Sequence, residues 1–402
     1  MISINKRNSI SEASSTVFPE GSKTEAPQPR PGVSPWPIAI LGIPFDALTL
    51  DGALERIAGM VEAREPAYVV TPNVDFLVQS RKDSHLRQIL LEAHLVLCDG
   101  MPLVWASRWL GNPLPERVSG ADLTPRLLSQ AEEKGHRVYL LGGSGESNEG
   151  AVAHLKFAYP NLNIAGHYSP PFRCLEEMDN EDIIRRVRAT NPDIVLVSFG
   201  CPKQEKWMAE HYRSLGAPVC IGVGATIDFL AGKMKRAPRW MQRLGLESVF
   251  RLLQEPRRLL MRYAGDFRYF APAILNQYWR LRRGKRRSRQ TASVSMASNN
   301  EDRSRHVSVS GALDWPSIDT AAEVWKTVRY GGNDCVLDLS RVKFIDCTGA
   351  ALLWEQRKNT IKSGHRLTLL PPSAEVMSAL IAMGVMEAIF IEHSKLVLNS
   401  SA

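Results

Sequence analysis

Side chains that can transfer protons or bind anions follow several short apolar runs in the first half of the chain. If these runs are parallel strands, their carboxyl ends lie along one edge of a sheet, which is where open α/β sheets bind ligands. The pattern therefore predicts one ligand site assembled from the turns after the strands. Those turns contain Thr71, Asn73, Asp99, Gly142, Gly143, Gln204, Glu205 and Asp228.

Each candidate taken alone has a structural alternative. Asp99 has the chemistry of a general base, although an aspartate in this position is more often a helix cap. Arg117 could bind an anionic substrate or form an ordinary ion pair, and Gln204 could bind a ligand or only the backbone. The Gly-rich turn 140–147 could hold a phosphate on its N–H groups. Because Asn148 occupies the third glycine position of a dinucleotide fingerprint, a plain tight turn is equally compatible.

The elements that must position these side chains alternate along the chain from residue 37 to about 232. Segments with helical spacing, such as 122–135 and 182–192, separate the apolar runs. Such alternation predicts a parallel sheet covered by helices on both faces. The strands are expected at 68–73, 95–100, 138–143, 194–200 and 219–225.

A strongly basic segment follows this domain. Residues 233–289 contain 17 lysines or arginines against three acidic residues, interleaved with aromatic side chains, and helix is predicted through most of them. The charge indicates either a solvated helix face or docking on an anionic membrane surface, with arginines available to bind diphosphate. Arg251, Arg258 and Arg262 recur at helical spacing. No nucleic-acid-binding motif accompanies the charge, so no nucleic-acid partner is expected.

Composition bounds the class of protein. The 402 residues allow two or three domains, and the net charge of +8 favours anionic partners. Six cysteines without a C-x-x-C pair suit a reducing compartment and argue against a structural zinc site. Neither a run of about 18 apolar residues nor a signal-peptide core is present, so we expect a cytoplasmic protein. Residues 1–36, rich in Ser, Pro, Thr and Glu, are expected to be a disordered leader.

Six motifs occur in an order and at spacings that closely resemble glycosyltransferase family 26, the WecG/TagA/CpsF group. The resemblance covers about residues 37–270 and implies a Rossmann-like domain with a basic C-terminal tail that reaches the membrane. It also implies transfer of N-acetylmannosamine, or a related hexose or hexuronate, from a UDP-sugar to a polyprenyl-diphosphate-linked sugar. The motifs are TPNVDFLVQS, CDGMPLVW, ERVSGADL, YLLGGSGE, GCPKQEKW and GVGATIDFLAGKMKRAPRWMQRLGLESVFRL.

The same resemblance assigns roles to the candidates. It implies that Asp99 is the general base of an inverting transfer. The chain has no Asp-x-Asp pair, so we expect no metal and no cofactor, with backbone N–H groups and arginines stabilising the diphosphate instead. The residues expected to bind substrate are Thr71, Asn73, Arg117, Gly142, Gly143, Gln204, Glu205, Asp228, Arg251 and Arg258.

Residues 305–402 resemble a STAS domain, the anti-sigma-factor-antagonist fold, through VLDLSRVKFIDCTGAALL at 336–353. In this segment Asp346, Cys347, Thr348 and Gly349 correspond to the D-S-S-G phosphosite of that family. Thr348 is therefore a phosphorylation candidate, although it could instead only cap the following helix. The resemblance implies a regulatory domain with a protein partner.

The sequence therefore predicts an α/β protein, in which a Rossmann-like parallel-sheet glycosyltransferase domain and a small STAS-like domain are joined by a basic tail and a linker. We expect a UDP-sugar transferase of bacterial surface-polysaccharide or exopolysaccharide assembly, peripheral on the inner face of the cell membrane. The alternative is a regulatory STAS protein with a degenerate transferase domain. The predicted boundaries are 37–232 for the transferase core, 233–284 for the basic tail, 285–304 for the linker and 305–402 for the STAS-like domain.

Overall fold

The structure is a computed structural model of the chain. It describes residues 36–390 except 235, 239, 242–244, 255, 288–292, 299–304 and 331–333. The predicted disordered leader lies outside the described residues apart from Trp36.

The N-terminal unit alternates strands and helices as predicted. Two 3₁₀ helices, Leu175–Glu177 and Tyr212–Ser214, lie in its connections. Its elements are β1 (Ile38–Ile40), β2 (Ile43–Phe45), α1 (Leu50–Ala63), β3 (Ala67–Val70), α2 (Val74–Lys82), α3 (Ser84–Glu92), β4 (Leu95–Val96), α4 (Met101–Leu110), α5 (Gly120–Lys134), β5 (Arg137–Gly142), α6 (Gly145–Ala158), β6 (Asn163–Tyr168), α7 (Asn180–Ala189), β7 (Ile194–Ser198), α8 (Lys203–His211), β8 (Val219–Gly222) and α9 (Thr226–Leu230).

Six of these strands form one sheet in the order β4-β3-β8-β7-β5-β6, and every neighbouring pair is parallel. The five predicted strands are confirmed, with shorter ends. The sequence analysis missed β6, because this strand lies at the sheet edge and its partly exposed residues form no apolar run. It also missed the antiparallel hairpin of β1 and β2.

Helices cover both faces of this sheet, as the continuous apolar runs predict. Alternate residues of β7 enter different cores: Ile194 and Leu196 pack in the cluster of α1, α5 and α6. Val195 and Val197 belong to the cluster that contains α7 and α8. Because both faces are covered, the polar turns are left at the strand ends, where a ligand can reach them.

The basic segment forms two helices, α10 (Glu247–Gln254) and α11 (Pro256–Arg287), which confirms the helix predicted there. Helix α11 packs against α2 and α4 of the N-terminal unit. Within the part of the chain that the structure describes, α11 and every other helix are too short or too polar to cross a membrane.

The C-terminal unit is a small α/β domain with a four-stranded sheet in the order β12-β11-β10-β9. Strand β10 pairs parallel with β11 and antiparallel with β9, and β11 pairs parallel with β12. Its elements are β9 (Ser293–Ser298), β10 (Arg305–Leu313), α12 (Trp315–Thr320), α13 (Ala322–Tyr330), β11 (Cys335–Ile345), α14 (Cys347–Lys362), β12 (Leu367–Leu370), α15 (Ala374–Met383) and α16 (Met386–Phe390).

The predicted linker 285–304 is wrong in part. Helix α11 continues to Arg287, and residues 293–298 form strand β9 of the C-terminal sheet. The alternating segment SVSMAS has the two-residue period of a strand, and its pairing with β10 satisfies backbone groups that an edge strand would leave open.

The two units share one continuous hydrophobic core. Helix α14 packs against β1, and α11 packs against both α15 and β11. One cluster of buried side chains contains Ile38 and Ile40 of the hairpin together with Leu352 and Leu353 of α14. The C-terminal unit is therefore not a self-contained module on a linker, as its size alone suggested.

We expect Gly142→Ala to lower the free energy of unfolding by at least about 2 kcal/mol, because of backbone strain and a steric clash. Gly142 has φ +100°, and an added Cβ would lie 2.5 Å from the carbonyl oxygen of Ser198. Gly145→Ala is the matched control, since a Cβ there meets no atom within 4 Å. Denaturant unfolding of both variants checks this, and equal stabilities would contradict it.

Candidate active site

Two adjoining cavities open at the carboxyl edge of the six-stranded sheet. The first has a volume of about 490 Å³ and lies against the ends of β3, β7 and β8. The second, of about 360 Å³, lies between the start of α4 and helices α10 and α11. Both cavities are lined by Asn73, Asp75, Asp99, Ala121, Arg251 and Arg262.

Asp99 lies at the junction of the two cavities, in the turn between β4 and α4. Burial raises the pKa of its carboxyl group to about 6, against the opposing charges of Arg117 and Arg251, while Glu247 and Asp122 raise it further. Among the described residues, none donates a hydrogen bond to this carboxylate. Asp99 is therefore not a helix cap, and its lone pairs are available to a ligand. A carboxyl group with this pKa is largely ionised at neutral pH and can accept a proton.

Arg117 lines the second cavity and is held by two carboxylates. Its guanidinium lies 2.6 Å from Asp122 Oδ2 and 2.5 Å from Glu247 Oε2. Burial opposes its charge, but Asp99 and these two partners outweigh burial and raise its pKa. Arg236 also pairs with Asp122, at 2.6 Å. The ion-pair interpretation of Arg117 is thus correct, and the same pairs fix its guanidinium at the cavity wall.

Two arginines of the basic tail line both cavities. Arg251 lies 5.3 Å from the ring centroid of Phe229, and its buried Nε has no hydrogen-bond partner among the described residues. Arg262 lies 3.9 Å from Asp75 Oδ2. The side chain of Arg258 lies outside what the structure describes. The tail therefore places positive charge at the site, with donors that an anion could satisfy.

Thr71, Asn73, Gln204 and Asp228 all line the first cavity, as the sequence predicted. The side-chain oxygen of Asn73 caps α2 by accepting from the N–H groups of residues 75 and 76. The Oε1 of Gln204 accepts from the N–H of Gly224 at 3.2 Å. Each of these side chains thus has its orientation fixed by backbone contacts.

Glu205 does not line either cavity. Its side chain is fully buried behind Gln204, whose Nε2 donates to its Oε1 at 2.6 Å. Burial raises the pKa of Glu205 to about 7. In this arrangement the carboxyl group orients the amide of Gln204, and a direct contact of Glu205 with substrate would require a rearrangement.

Gly142 and Gly143 also lie away from the cavities. The N–H of Gly143 donates to the carbonyl of Ser198 at 2.8 Å, so this group is not available to a phosphate. The carbonyl of Gly142 accepts from Nδ2 of Asn148 at 2.7 Å. The structure favours the plain tight turn, braced by Asn148 in the position where a dinucleotide fingerprint has its third glycine.

The sequence analysis did not single out Asp266, which the structure places in the second cavity. Burial raises the pKa of its carboxyl group to about 6, with Asp75 raising it and Arg262 lowering it. One signal was present in the sequence, because Asp266 is one of only three acidic residues in the basic segment. Aromatic side chains from the same helix complete this wall: Tyr263, Phe267 and Phe270.

No cluster of three or more histidine, cysteine, aspartate or glutamate side chains that could hold a metal ion occurs in the described ranges.

The phosphosite-like corner of the C-terminal unit is buried. Thr348 is fully buried, and its Oγ1 accepts a hydrogen bond from Asn112 at 2.8 Å. The helix is capped by Asp346, whose Oδ1 accepts from the N–H of Gly349 at 2.8 Å. Phosphorylation of Thr348 stays a prediction, and it would require this contact to open.

The parallel sheet, its acidic junction and the arginine-bearing tail define an α/β transferase with a two-part substrate site. The chain belongs to the Glycosyl transferase WecG/TagA/CpsF family, whose model matches residues 38–284, and it is a glycosyltransferase. Residues 296–393 match a second family model, described as Mlab, STAS domain.

Curated relatives support the same assignment. Enzymes from Staphylococcus aureus strains MW2, MRSA252 and NCTC 8325 are each 29% identical to this chain over 224 residues, which cover 55% of this chain and 86% of the relative. Each of these relatives is named N-acetylglucosaminyldiphosphoundecaprenol N-acetyl-beta-D-mannosaminyltransferase. The chain is thus similar to transferases that act on a polyprenyl-linked acceptor.

Proposed function

We propose that this protein transfers N-acetylmannosamine, or a closely related hexose, from a UDP-sugar to a polyprenyl-diphosphate-linked saccharide. The observation that carries the proposal is the position of Asp99 at the junction of two cavities. A base placed between two binding sites can take a proton from an acceptor in one as it attacks a donor in the other. The names of the relatives make N-acetylmannosamine the first donor to test, ahead of its uronate and of glucose.

The first cavity suits the sugar nucleotide. It lies at the carboxyl ends of the parallel strands and is lined by polar side chains, including Thr71, Gln204 and Asp228. Arg251 and Arg262 border it, and guanidinium groups bind phosphate oxygens well. A UDP leaving group would thus meet positive charge in a partly buried site, where such charge is most effective.

The second cavity suits the lipid-linked acceptor. Its wall combines Arg117 with the aromatic side chains of α11, so charged and apolar surfaces meet there. A polyprenyl-diphosphate sugar has the same combination of an anionic head and an apolar chain. Asp266 adds a carboxyl group that could accept a hydrogen bond from a sugar hydroxyl.

In the proposed reaction, Asp99 accepts the proton of the acceptor hydroxyl. The hydroxyl oxygen forms a bond to the anomeric carbon on the face opposite the diphosphate, and UDP leaves with the electrons of the broken C–O bond. Attack from the opposite face inverts the anomeric carbon. Arg251 and Arg262 would stabilise the charge that develops on the leaving group.

A regulatory protein with a degenerate transferase domain is the alternative that the sequence left open. The retained constellation argues against it, because Asp99, Arg117 and Gln204 all line the cavities. A protein partner of the STAS domain and a role in exopolysaccharide assembly remain parts of the proposal.

We expect Asp99→Asn to bind UDP normally but to transfer sugar roughly 10²–10⁴-fold more slowly, because the amide cannot accept the proton. In the unmodified enzyme, kcat/KM should fall as pH drops below about 6, where the carboxylate becomes protonated. Asp266→Asn is the matched control, since its carboxyl group has a similar pKa in the same site. If Asp266→Asn removes this pH dependence and Asp99→Asn keeps it, the assigned base is wrong.

We also propose that the reaction needs no divalent metal, since the chain lacks an Asp-x-Asp pair and the cavities offer arginines for the diphosphate. UDP release with a lipid-linked acceptor should therefore continue at an unchanged rate in EDTA. Loss of activity in EDTA that Mg²⁺ or Mn²⁺ restores would contradict this.

We further propose that the tail docks on the inner face of the membrane. Helices α10 and α11 expose large apolar side chains among arginines, and α4 beside them exposes Trp105 and Trp109. Such a surface can insert apolar side chains at the lipid interface while its basic residues face anionic head groups. The apolar residues of the tail with exposed side chains are Val249, Leu253, Leu260, Met261, Phe267, Leu275 and Trp279.

We expect the double variant Leu260→Glu/Met261→Glu to bind anionic liposomes at least about tenfold more weakly, through lost apolar burial and added repulsion. Neither residue lines a cavity, so UDP binding should not change. Phe157→Glu/Phe172→Glu is the control, because it adds the same charge at two exposed aromatic positions outside the tail. Equal sedimentation of both variants with liposomes would exclude the tail as the docking surface.

A further inference from the structure

A buried polar contact joins the two units at the start of helix α14. The Nδ2 of Asn112 donates to Oδ2 of Asp346 and to Oγ1 of Thr348, both at 2.8 Å. Asn112 is 2% exposed and Thr348 is fully buried. Burial raises the pKa of the Asp346 carboxyl group, and the hydrogen bond from Asn112 opposes that shift. A buried carboxylate depends on such donors, so removing this one is costly.

Helix α14 also holds the chain on the other side of Asp99. Trp354 Nε1 donates to the carbonyl of Leu91 at 3.1 Å, and Lys358 Nζ donates to the carbonyl of Ala93 at 3.2 Å. These carbonyls precede β4, and Asn112 follows α4. One helix of the STAS domain therefore binds both ends of residues 91–112, which we call the base segment because Asp99 lies within it.

The base segment has little freedom between these two anchors. Strand β4 is paired with β3, and the N–H of Asp99 donates to the carbonyl of Pro72. Helix α4 starts two residues after Asp99 and is about 15 Å long, at 1.5 Å per residue. At its far end, Asn112 donates its N–H to the carbonyl of Ser107 at 3.1 Å. A shift of Asn112 would thus pass along a rigid helix to the turn that holds the base.

The same corner contacts the helix that forms the second cavity. Gln277 of α11 is fully buried, and its Nε2 donates to the carbonyl of Ala39 and to Sγ of Cys347. Gln277 follows Phe270, which lines the cavity, by seven residues, or about 10 Å of helix. Helix α14 therefore contacts both walls of the second cavity from behind.

We propose that helix α14 of the STAS domain is a positioning element of the transferase, anchored on Asn112, that holds the base segment and α11 in their catalytic arrangement. The docking surface of this STAS domain is the transferase of its own chain. A separate protein that bound the corner at Thr348 would have to displace Asn112, and so would act on the active site. This inference rests on the proposed function for its kinetic test only.

The test uses the full-length protein and Asn112→Asp, which places a second carboxylate against Asp346. We expect kcat to fall at least about tenfold, with a smaller change in KM for the UDP-sugar, since α14 does not line the donor cavity. Amide hydrogen exchange should increase in residues 101–110 and 259–275. The exchanged pair Asn112→Asp/Asp346→Asn restores one carboxylate and one amide and should recover most of both effects.

Two further variants keep the test decisive. Asn163→Asp makes the same substitution at an exposed position of β6 and should change neither kcat nor exchange. Thr348→Val removes one acceptor and keeps the Asp346 contact, so it should give a smaller effect of the same kind and remains informative if Asn112→Asp does not fold.

Two results would overturn the proposal. One is increased exchange around residues 110–116 and 346–350 with unchanged kcat and unchanged exchange in 259–275. The other is variants of the corner that alter neither exchange nor turnover. If the unmodified protein transfers no sugar, the proposed function fails, while the exchange measurements still decide whether the corner is coupled to the site.

Discussion

The parallel direction of the six strands is the constraint on which the rest of this molecule depends. Parallel strands need a crossover after each strand, so all the turns that follow strands lie at one edge, and helices bury both faces. That edge is the place where polar side chains can remain accessible without breaking the core. Thr71, Asp99, Gln204 and Asp228 come from four different turns and line one connected site for this reason.

Charge balance then decides which of these groups can react. Asp99 is desolvated enough to hold its proton near pH 6, yet Arg117 and Arg251 keep its pKa from rising further. Arg117 is in turn fixed by Glu247, the first residue of α10, so one ion pair attaches the basic tail to the wall of the site. The tail thus contributes both to the electrostatics of the base and to the closure of the second cavity.

The joining of the two units changes how the STAS domain can be understood. In sequence it looks like a separate regulatory domain, and a family model matches it independently of the transferase. In the structure its central helix lies against the hairpin of β1 and β2 and against the base segment, and the two cores are one. Burial of the Thr348 corner is a consequence of that packing, and it ties any event at this corner to the catalytic unit.

The sequence by itself determined the alternation of strands and helices, the parallel sheet, the family and most of the polar residues at the sheet edge, because periodicity and motif spacing record local backbone structure and burial. It extended the strand at 95–100 beyond Leu95–Val96, since Leu97 and Cys98 are buried although they lie past the strand end. It placed Gly142, Gly143 and Glu205 at the substrate, whereas the structure uses them to shape the turn and to orient Gln204. Only the tertiary structure decided that Asp266 enters the site and that Asn112 meets Asp346, 234 residues away, because such pairings depend on how whole elements pack and leave no local pattern in the chain.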